Sequence, residues 1–379
     1  MRKLYFDFCL VFAACGWFLA AHVSAGGGQA APRLTGQWRI FPRAPFTRPA
    51  DEEITARLTR QIDRLDALFR PNGSSIPRET LGDSLIDGKA RNQFFRLEGI
   101  LRLYARAFPD LDNYSREVKD LEDGLGAYSF AVDSLKFAKD KFKLENQTQA
   151  PTAARKAEQD KVLQGLEKKK DTAHVVFTKL VERSTLNSDL PEFKSLVMSS
   201  FTGWSSSKDR EYVTHELLRV LGKVQHGRYN FNLLEDGIHE FRRRLRWFPV
   251  MVDSLDGLIL VRDDAAGACP NPALEKLAGS PAAKHRYSNP ELAFPATQPC
   301  TISRCLLWQV VKTTNDIGRL KDEAQGEAAV SAALDDFDEV ASGNNVSPQE
   351  IARAQALRTE LFSSRALDSL TAQLSSCKP

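Results

Sequence analysis

The 379-residue chain holds only six cysteines, and no two of them form a CxxC pair. No histidine stands at the short offsets of a zinc ligand set, so a zinc site finds no support. A P-loop, a GxGxxG following a strand and an HExxH are all missing, which removes the common phosphate-cradling and metalloprotease motifs. Ser205-Ser206-Ser207-Lys208 formally matches SxxK, but it lies in a serine-rich stretch without companion motifs, and chance explains it better. His215 and His226 are eleven residues apart and cannot share a metal through local helix geometry. His174, ahead of Val175-Val176-Phe177, reads as a satisfied bundle residue. These absences point to a protein that is not an enzyme and carries no metal or other cofactor.

Charge of one sign is scarce too. Lys and Arg number 52 against 49 Asp and Glu, a net charge of +3, so overall charge predicts neither nucleic acid nor any other partner. A cationic site must therefore be a local cluster. Runs of alternating apolar and polar residues are also lacking, which argues against a sheet. Apolar residues make up 42% of the chain, enough for a real core. The expected fold is all-α, with helices packed on helices.

At the amino terminus, residues 1–25 read as a secretory leader. Arg2 and Lys3 supply the positive start, Phe8 to Ala21 the apolar run, and Val23-Ser24-Ala25 the small residues before the cleavage point. Asp7 and His22 bracket an apolar stretch shorter than the ~20 residues of a membrane span, so cleavage after Ala25 is expected over retention as an anchor. Export to the periplasm or the extracellular space follows, with no membrane span left after cleavage. Cys9 and Cys15 leave with the leader. The even number that stays, Cys269, Cys300, Cys305 and Cys377, suits two disulfides in an oxidising compartment. Three pairings are open; Cys269 with Cys300 and Cys305 with Cys377 is the one favoured, although sequence does not choose.

Residues 26–50, rich in Gly, Pro and Ala, read as a loosely ordered lead-in. A helical domain is expected over 51–330, with an irregular excursion at 263–299, followed by carboxy-terminal helices over 331–379 packed on it. Apolar spacing predicts helices from Asp51 to Leu68, Ile86 to Phe108, Asp112 to Glu145, Ala153 to Arg183 and Arg210 to Gln225. Between the last two lies a loop, Thr185 to Ser207, with a short helix near Phe193 to Met198. A later helix is expected from Arg304 to Glu323 and two shorter ones after it, the last starting at the cap Ser347-Pro348-Gln349-Glu350.

The most informative stretch is Gly237 to Phe248. His239, Arg242, Arg243 and Arg246 recur at i, i+3, i+4 and i+7 and share one helix face, while Ile238, Phe241, Leu245 and Phe248 share the opposite one. That helix is expected to reach Pro249 and to continue, kinked, to about Leu260. An earlier helix opens alike, with Ile86-Asp87-Gly88-Lys89 answering Glu235-Asp236-Gly237-Ile238, and it carries Arg91, Arg102 and Arg106 close together. Each is followed by a proline, Pro109 or Pro249, and the two lie roughly 150 residues apart, which suggests a duplicated bundle.

These helices resemble the conserved histidine α-helical domain family, CHAD. His239-Glu240-Phe241-Arg242-Arg243-Arg244-Leu245-Arg246 is similar to its second basic helix. Arg91 with Arg96-Leu97-Glu98-Gly99-Ile100-Leu101-Arg102-Leu103-Tyr104 is similar to its first, and Val118 to Gly126 to the helix after that. The first helix departs from the family in having Gly88 or Ala90 where a histidine would fall, and in Glu98 on its basic face. The resemblance implies two pseudo-symmetric antiparallel bundles and binding of inorganic polyphosphate between them.

Arginine forks match phosphate oxygens bidentately, and arginines one turn apart, about 5.4 Å, suit a repeated anion. The expected site is therefore a polyanion site of Arg91, Arg102, Arg106, His239, Arg242, Arg243 and Arg246. The alternative is a structural or protein-docking helical envelope protein whose arginines pair with carboxylates such as Glu98, Asp120, Glu122, Asp123, Glu235, Asp236 and Glu240.

Overall fold

Apolar residues at helical spacing become helix along most of the described residues. The computed structural model describes residues 50–263, 269, 271–290, 292, 296, 299–334 and 346–377. The expected leader at 1–25, the lead-in up to residue 49 and parts of the excursion lie outside the described residues. The chain divides into two units, Met1–Phe46 and Thr47–Pro379, and everything below concerns the second.

Helix α1, Ala50–Phe69, buries Ile54, Leu58, Ile62 and Leu65. It ends at a short turn, Pro71–Gly73, where Gly73 takes φ 78°. The single helix expected from Ile86 to Phe108 is two. Lys89 adopts the left-handed region, φ 55°, and separates α2, Leu81–Asp87, from α3, Ala90–Tyr104. Helices α4, Asp110–Thr148, and α5, Ala153–Arg183, form a long hairpin. Its outer part has a small core of its own, made by Leu135, Ala138, Phe142, Val162 and Leu166. After a four-residue helical turn, Thr185–Ser188, comes α6, Leu190–Ser200.

Helix α7, Ser206–His226, accounts for the SxxK match. Ser205 is its N-cap, and the hydroxyl accepts the Lys208 backbone N–H at 3.3 Å, so the pattern is a helix start. A wide π turn, Leu234–His239, leads into α8, Glu240–Ser254. Pro249 sits inside α8 without ending it. The helix stops short of Leu260 because Asp256 (φ 47°) and Gly257 (φ 111°) turn the chain. Asp256 is fully buried, and its carboxylate accepts Arg60 at 2.8 Å and Gln61 at 3.0 Å.

A two-stranded parallel sheet follows, a feature the sequence did not suggest. Strands β1, Ile259–Arg262, and β2, Cys300–Ser303, pair Ile259 with Cys300 through Arg262 with Ser303. Four residues are too few for alternation to declare itself, and Ile259-Leu260-Val261 reads as more of the preceding apolar helix. Helix α9, Arg304–Leu334, then α10, Pro348–Ser363, complete the pattern, the latter with the expected capping box of Ser347 and Glu350. It is not the last helix. Arg365 at φ 56° reverses the chain into α11, Ala366–Ser375.

The disulfides join Cys269 to Cys305 and Cys300 to Cys377, which corrects the favoured pairing. Cys300 lies in β2, which packs on α11, so its neighbour is the chain end beyond that helix. Cys305 lies in the first turn of α9, against the helical turns of the excursion. Closeness in sequence is a poor guide where one element ends and the next starts between two cysteines.

The fold is all-α. Helices α1 to α6 meet α7 to α11 where α1 packs on α7, where α4 and α5 pack on α9, and chiefly where α3 crosses α8. A Cβ on Gly99 would lie 2.9 Å from Val250 Cγ1, so the absence of a side chain permits this approach. Across the same crossing the buried Arg96 donates to Asp253 from Nε (2.7 Å) and Nη2 (3.0 Å). Removing one partner from such a buried pair costs about 3–5 kcal/mol, because the other charge stays behind.

Candidate functional site

The apolar face expected over the π turn and α8 is buried as a whole, whereas the cationic face is divided. Ile238, Phe241, Leu245 and Phe248 are completely buried. On the other side His239, Arg242 and Arg246 enter a pocket of about 550 Å³. Helix α3 contributes Arg91 and Phe95, α4 contributes Gly126 and Phe130, α9 contributes Asn315 and Lys321, and the excursion contributes His285 and Tyr287.

Arg246 lies deepest. Its guanidinium carbon stands 4.0 Å from the Phe95 ring centre and 5.8 Å from that of Trp247. Its Nε is buried without a hydrogen-bond partner among the described residues, and no carboxylate there lies within ion-pair reach. Burial, then the neighbouring Arg242 charge, pulls its pKa down to about 10. Arg242 is shifted downward as well, first by burial, and its Nε donates to the Thr314 carbonyl at 3.3 Å. The Arg242 guanidinium lies close over Gly318, where a Cβ would be 2.8 Å from Nε and Nη2. Arg91 is held in a similar way: its guanidinium covers Gly126, where a Cβ would be 3.0 Å from Nη2, and its Nε contacts Glu122 Oε1 at 2.5 Å.

His239 faces this cluster. Its Nδ1 is 3.2 Å from Glu235 Oε2, out of alignment for a hydrogen bond. Burial first, then the charges of Lys321, Arg242 and Arg246, lowers its pKa to about 3, so it is neutral at pH 7. Lys321 is pushed down too, chiefly by burial. The wall thus presents Arg91, Arg242, Arg246 and Lys321 against Asp123 and Asp322, with Glu122 paired to Arg91 and Glu235 acting on Lys321 from just outside it. Of these cations, Arg242 and Arg246 have no ion pair among the described residues, and burying a charge without one is costly.

Arg102, Arg106 and Arg243 do not join the pocket. Arg102 pairs with Glu98 at 3.2 Å and covers Trp247 at 4.7 Å. Arg106 pairs with Glu216 at 3.4 Å, and Arg243 pairs with Glu240. Glu98 and Glu216 are almost completely buried, so each tethers an arginine that is itself largely exposed. Burial raises the Glu98 pKa to about 7, against the opposing pull of Arg102.

Sequence reasoning missed Lys321, His285, Tyr287 and Asn315, which come from distant segments and form no local pattern. Gly318 carried a signal: a lone glycine inside a helical pattern costs stability and calls for a packing reason. No group of three or more His, Cys, Asp or Glu able to hold a metal ion is found among the described residues. Among the same residues no helix is long and apolar enough to cross a membrane.

No family model matches the chain, and no curated protein matches it. A solved structure similar to it is PptA from Streptomyces chartreusis, 11% identical, with a TM-score of 0.47 over 87% of this chain and 100% of that one. At that distance the likeness says nothing of ligand or activity.

Proposed function

We propose that the protein is a non-enzymatic, exported binder of phosphate polyanions, with inorganic polyphosphate as the ligand class and the pocket of α3, α4, α8 and α9 as its anchor. The observation that carries this reading is Arg246, a guanidinium with a buried, unpartnered Nε and no carboxylate within ion-pair reach among the described residues. Arg91, Arg242 and Lys321 beside it line the same pocket. Cation–ring contacts run beside the pocket, Arg91 over Phe95, Arg246 over Phe95 and Trp247, and Arg102, itself paired with Glu98, over Trp247. From Arg91 to Arg102 this line runs about 16 Å along α3, at 1.5 Å per residue. Kinship with the CHAD family, proposed from the two basic helices, supports the same ligand. Export is supported by two disulfides, which persist in oxidising compartments.

The competing reading is a structural or protein-docking role for the arginines. Its support is the pairing of Arg102, Arg106 and Arg243 with Glu98, Glu216 and Glu240. Salt separates the two readings, since polyanion binding through several arginines weakens steeply with ionic strength and apolar docking does not. The deciding experiment is a polyphosphate titration of the wild type and of Arg242→Glu/Arg246→Glu, with helicity checked by circular dichroism. Loss of binding in a folded variant supports the proposal; unchanged affinity, or no binding by either protein, overturns it.

A further inference from the structure

The pocket is not lined as a site for a bare inorganic anion would be. Among its cations, Ala127, Phe130, Tyr287, Pro249 and Val311 bring carbon surface to the same space. A chain of phosphates gains nothing from such surface. Sites for small organic ligands, by contrast, combine apolar walls with a few placed polar groups. Phe130 is the telling residue. It lines the pocket from α4 with 44% of its surface exposed, one α4 turn beyond Gly126, where Arg91 rests. An exposed aromatic face beside a guanidinium cluster is a stacking platform for a flat ring attached to a phosphate. Asn92 and Asn315 add side-chain amides to the wall, and no hydrogen bond from either amide is found among the described residues. An amide offers a donor and an acceptor together, the pattern that matches the edge of a nucleobase. An acyl chain would leave both amides unused.

We infer that the pocket takes a nucleoside polyphosphate, with the phosphates at Arg242, Arg246 and Lys321 and the base on Phe130 near the two asparagine amides. This rests on the anion-binding reading of the same pocket and specifies which phosphate compound fits it best. The site holds the nucleotide and has no assigned chemistry, so no bond is made or broken. The test compares adenosine triphosphate with inorganic tripolyphosphate by calorimetry, both without added metal, on the wild type, Phe130→Ala, Asn315→Ala and Arg246→Ala. Phe130 is largely exposed, and its removal leaves the core intact. The expected result is that the nucleotide binds the wild type at least about tenfold tighter than tripolyphosphate, as one base stacking on one aromatic ring provides. Phe130→Ala should erase that ratio and leave tripolyphosphate affinity unchanged, Asn315→Ala should reduce the ratio, and Arg246→Ala should weaken both ligands. Equal or weaker nucleotide binding, with tripolyphosphate still lost in Arg246→Ala, overturns the inference and leaves the anion site standing. Binding of neither compound by the wild type overturns both.

Discussion

Arg246 on α8 and Arg106 in the turn that closes α3 lie on two elements that pack against each other, yet they have opposite fates. Arg246 has carbon rings and other cations around it and no carboxylate within reach among the described residues, whereas Arg106 reaches across to the buried Glu216. The same division runs through both helices: Arg242 joins the first kind, and Arg102 and Arg243 the second. Arg91 lies between them, in the pocket but in contact with Glu122. A helical wheel shows which way an arginine points; what it meets there is decided by the neighbouring helix.

The sharpest way to break this comparison is to reverse charge on each side of it. Arg242→Glu/Arg246→Glu is expected to lower polyphosphate affinity by more than about 100-fold, since charge-assisted hydrogen bonds contribute about 1.5–3 kcal/mol each. Arg106→Glu should change it by less than about threefold. Similar losses from the two variants would erase the distinction between pocket and tethered arginines. A smaller effect is expected from Gly318→Ala, which must displace the Arg242 guanidinium. A loss of about tenfold in affinity with helicity retained would show that this glycine positions the arginine; wild-type affinity would show that Arg242 is indifferent to its seat.

Acidification offers the next test. His239 is neutral at pH 7 because its pKa is about 3, and a bound anion would favour its protonated form. Affinity should therefore be severalfold greater at pH 5.5 than at pH 7.5, and His239→Asn should flatten the profile. Equal affinities in the wild type would remove His239 from the site. The smallest expected effect is on stability and concerns the tethered side. Glu98 has its pKa raised from 4.5 to about 7, so its contribution is fully present below pH 4.5 and is lost as pH rises through 7. Glu98→Gln should thus gain a few degrees in Tm relative to the wild type at pH 8 and none at pH 4. A gain at both would mean that titration is not the cause.

Much of the fold was legible because helical spacing is a local property. The apolar face of α8, the hairpin of α4 and α5, and the Ser347 cap all follow from residues within two turns of one another. Errors fell where a single backbone conformation outweighs periodicity. Lys89 and Arg365 in the left-handed region divide what reads as continuous helix, and Asp256 with Gly257 ends α8 before a strand too short to recognise. The pocket was half legible. Arg91, His239, Arg242 and Arg246 declared themselves by pattern, but Lys321, His285 and Tyr287 reach it only through tertiary packing, as did the choice of Glu216 as the partner of Arg106.

The two disulfides interleave in sequence, 269 to 305 and 300 to 377. A proteolytic cut anywhere between Cys269 and Cys377 consequently leaves both pieces joined. The excursion bearing His285 and Tyr287, α9 with Lys321, and the two final helices thus behave as one covalent cassette. A single nick therefore sheds no wall of the pocket, and release of a fragment takes either reduction combined with cleavage or two cuts between neighbouring cysteines.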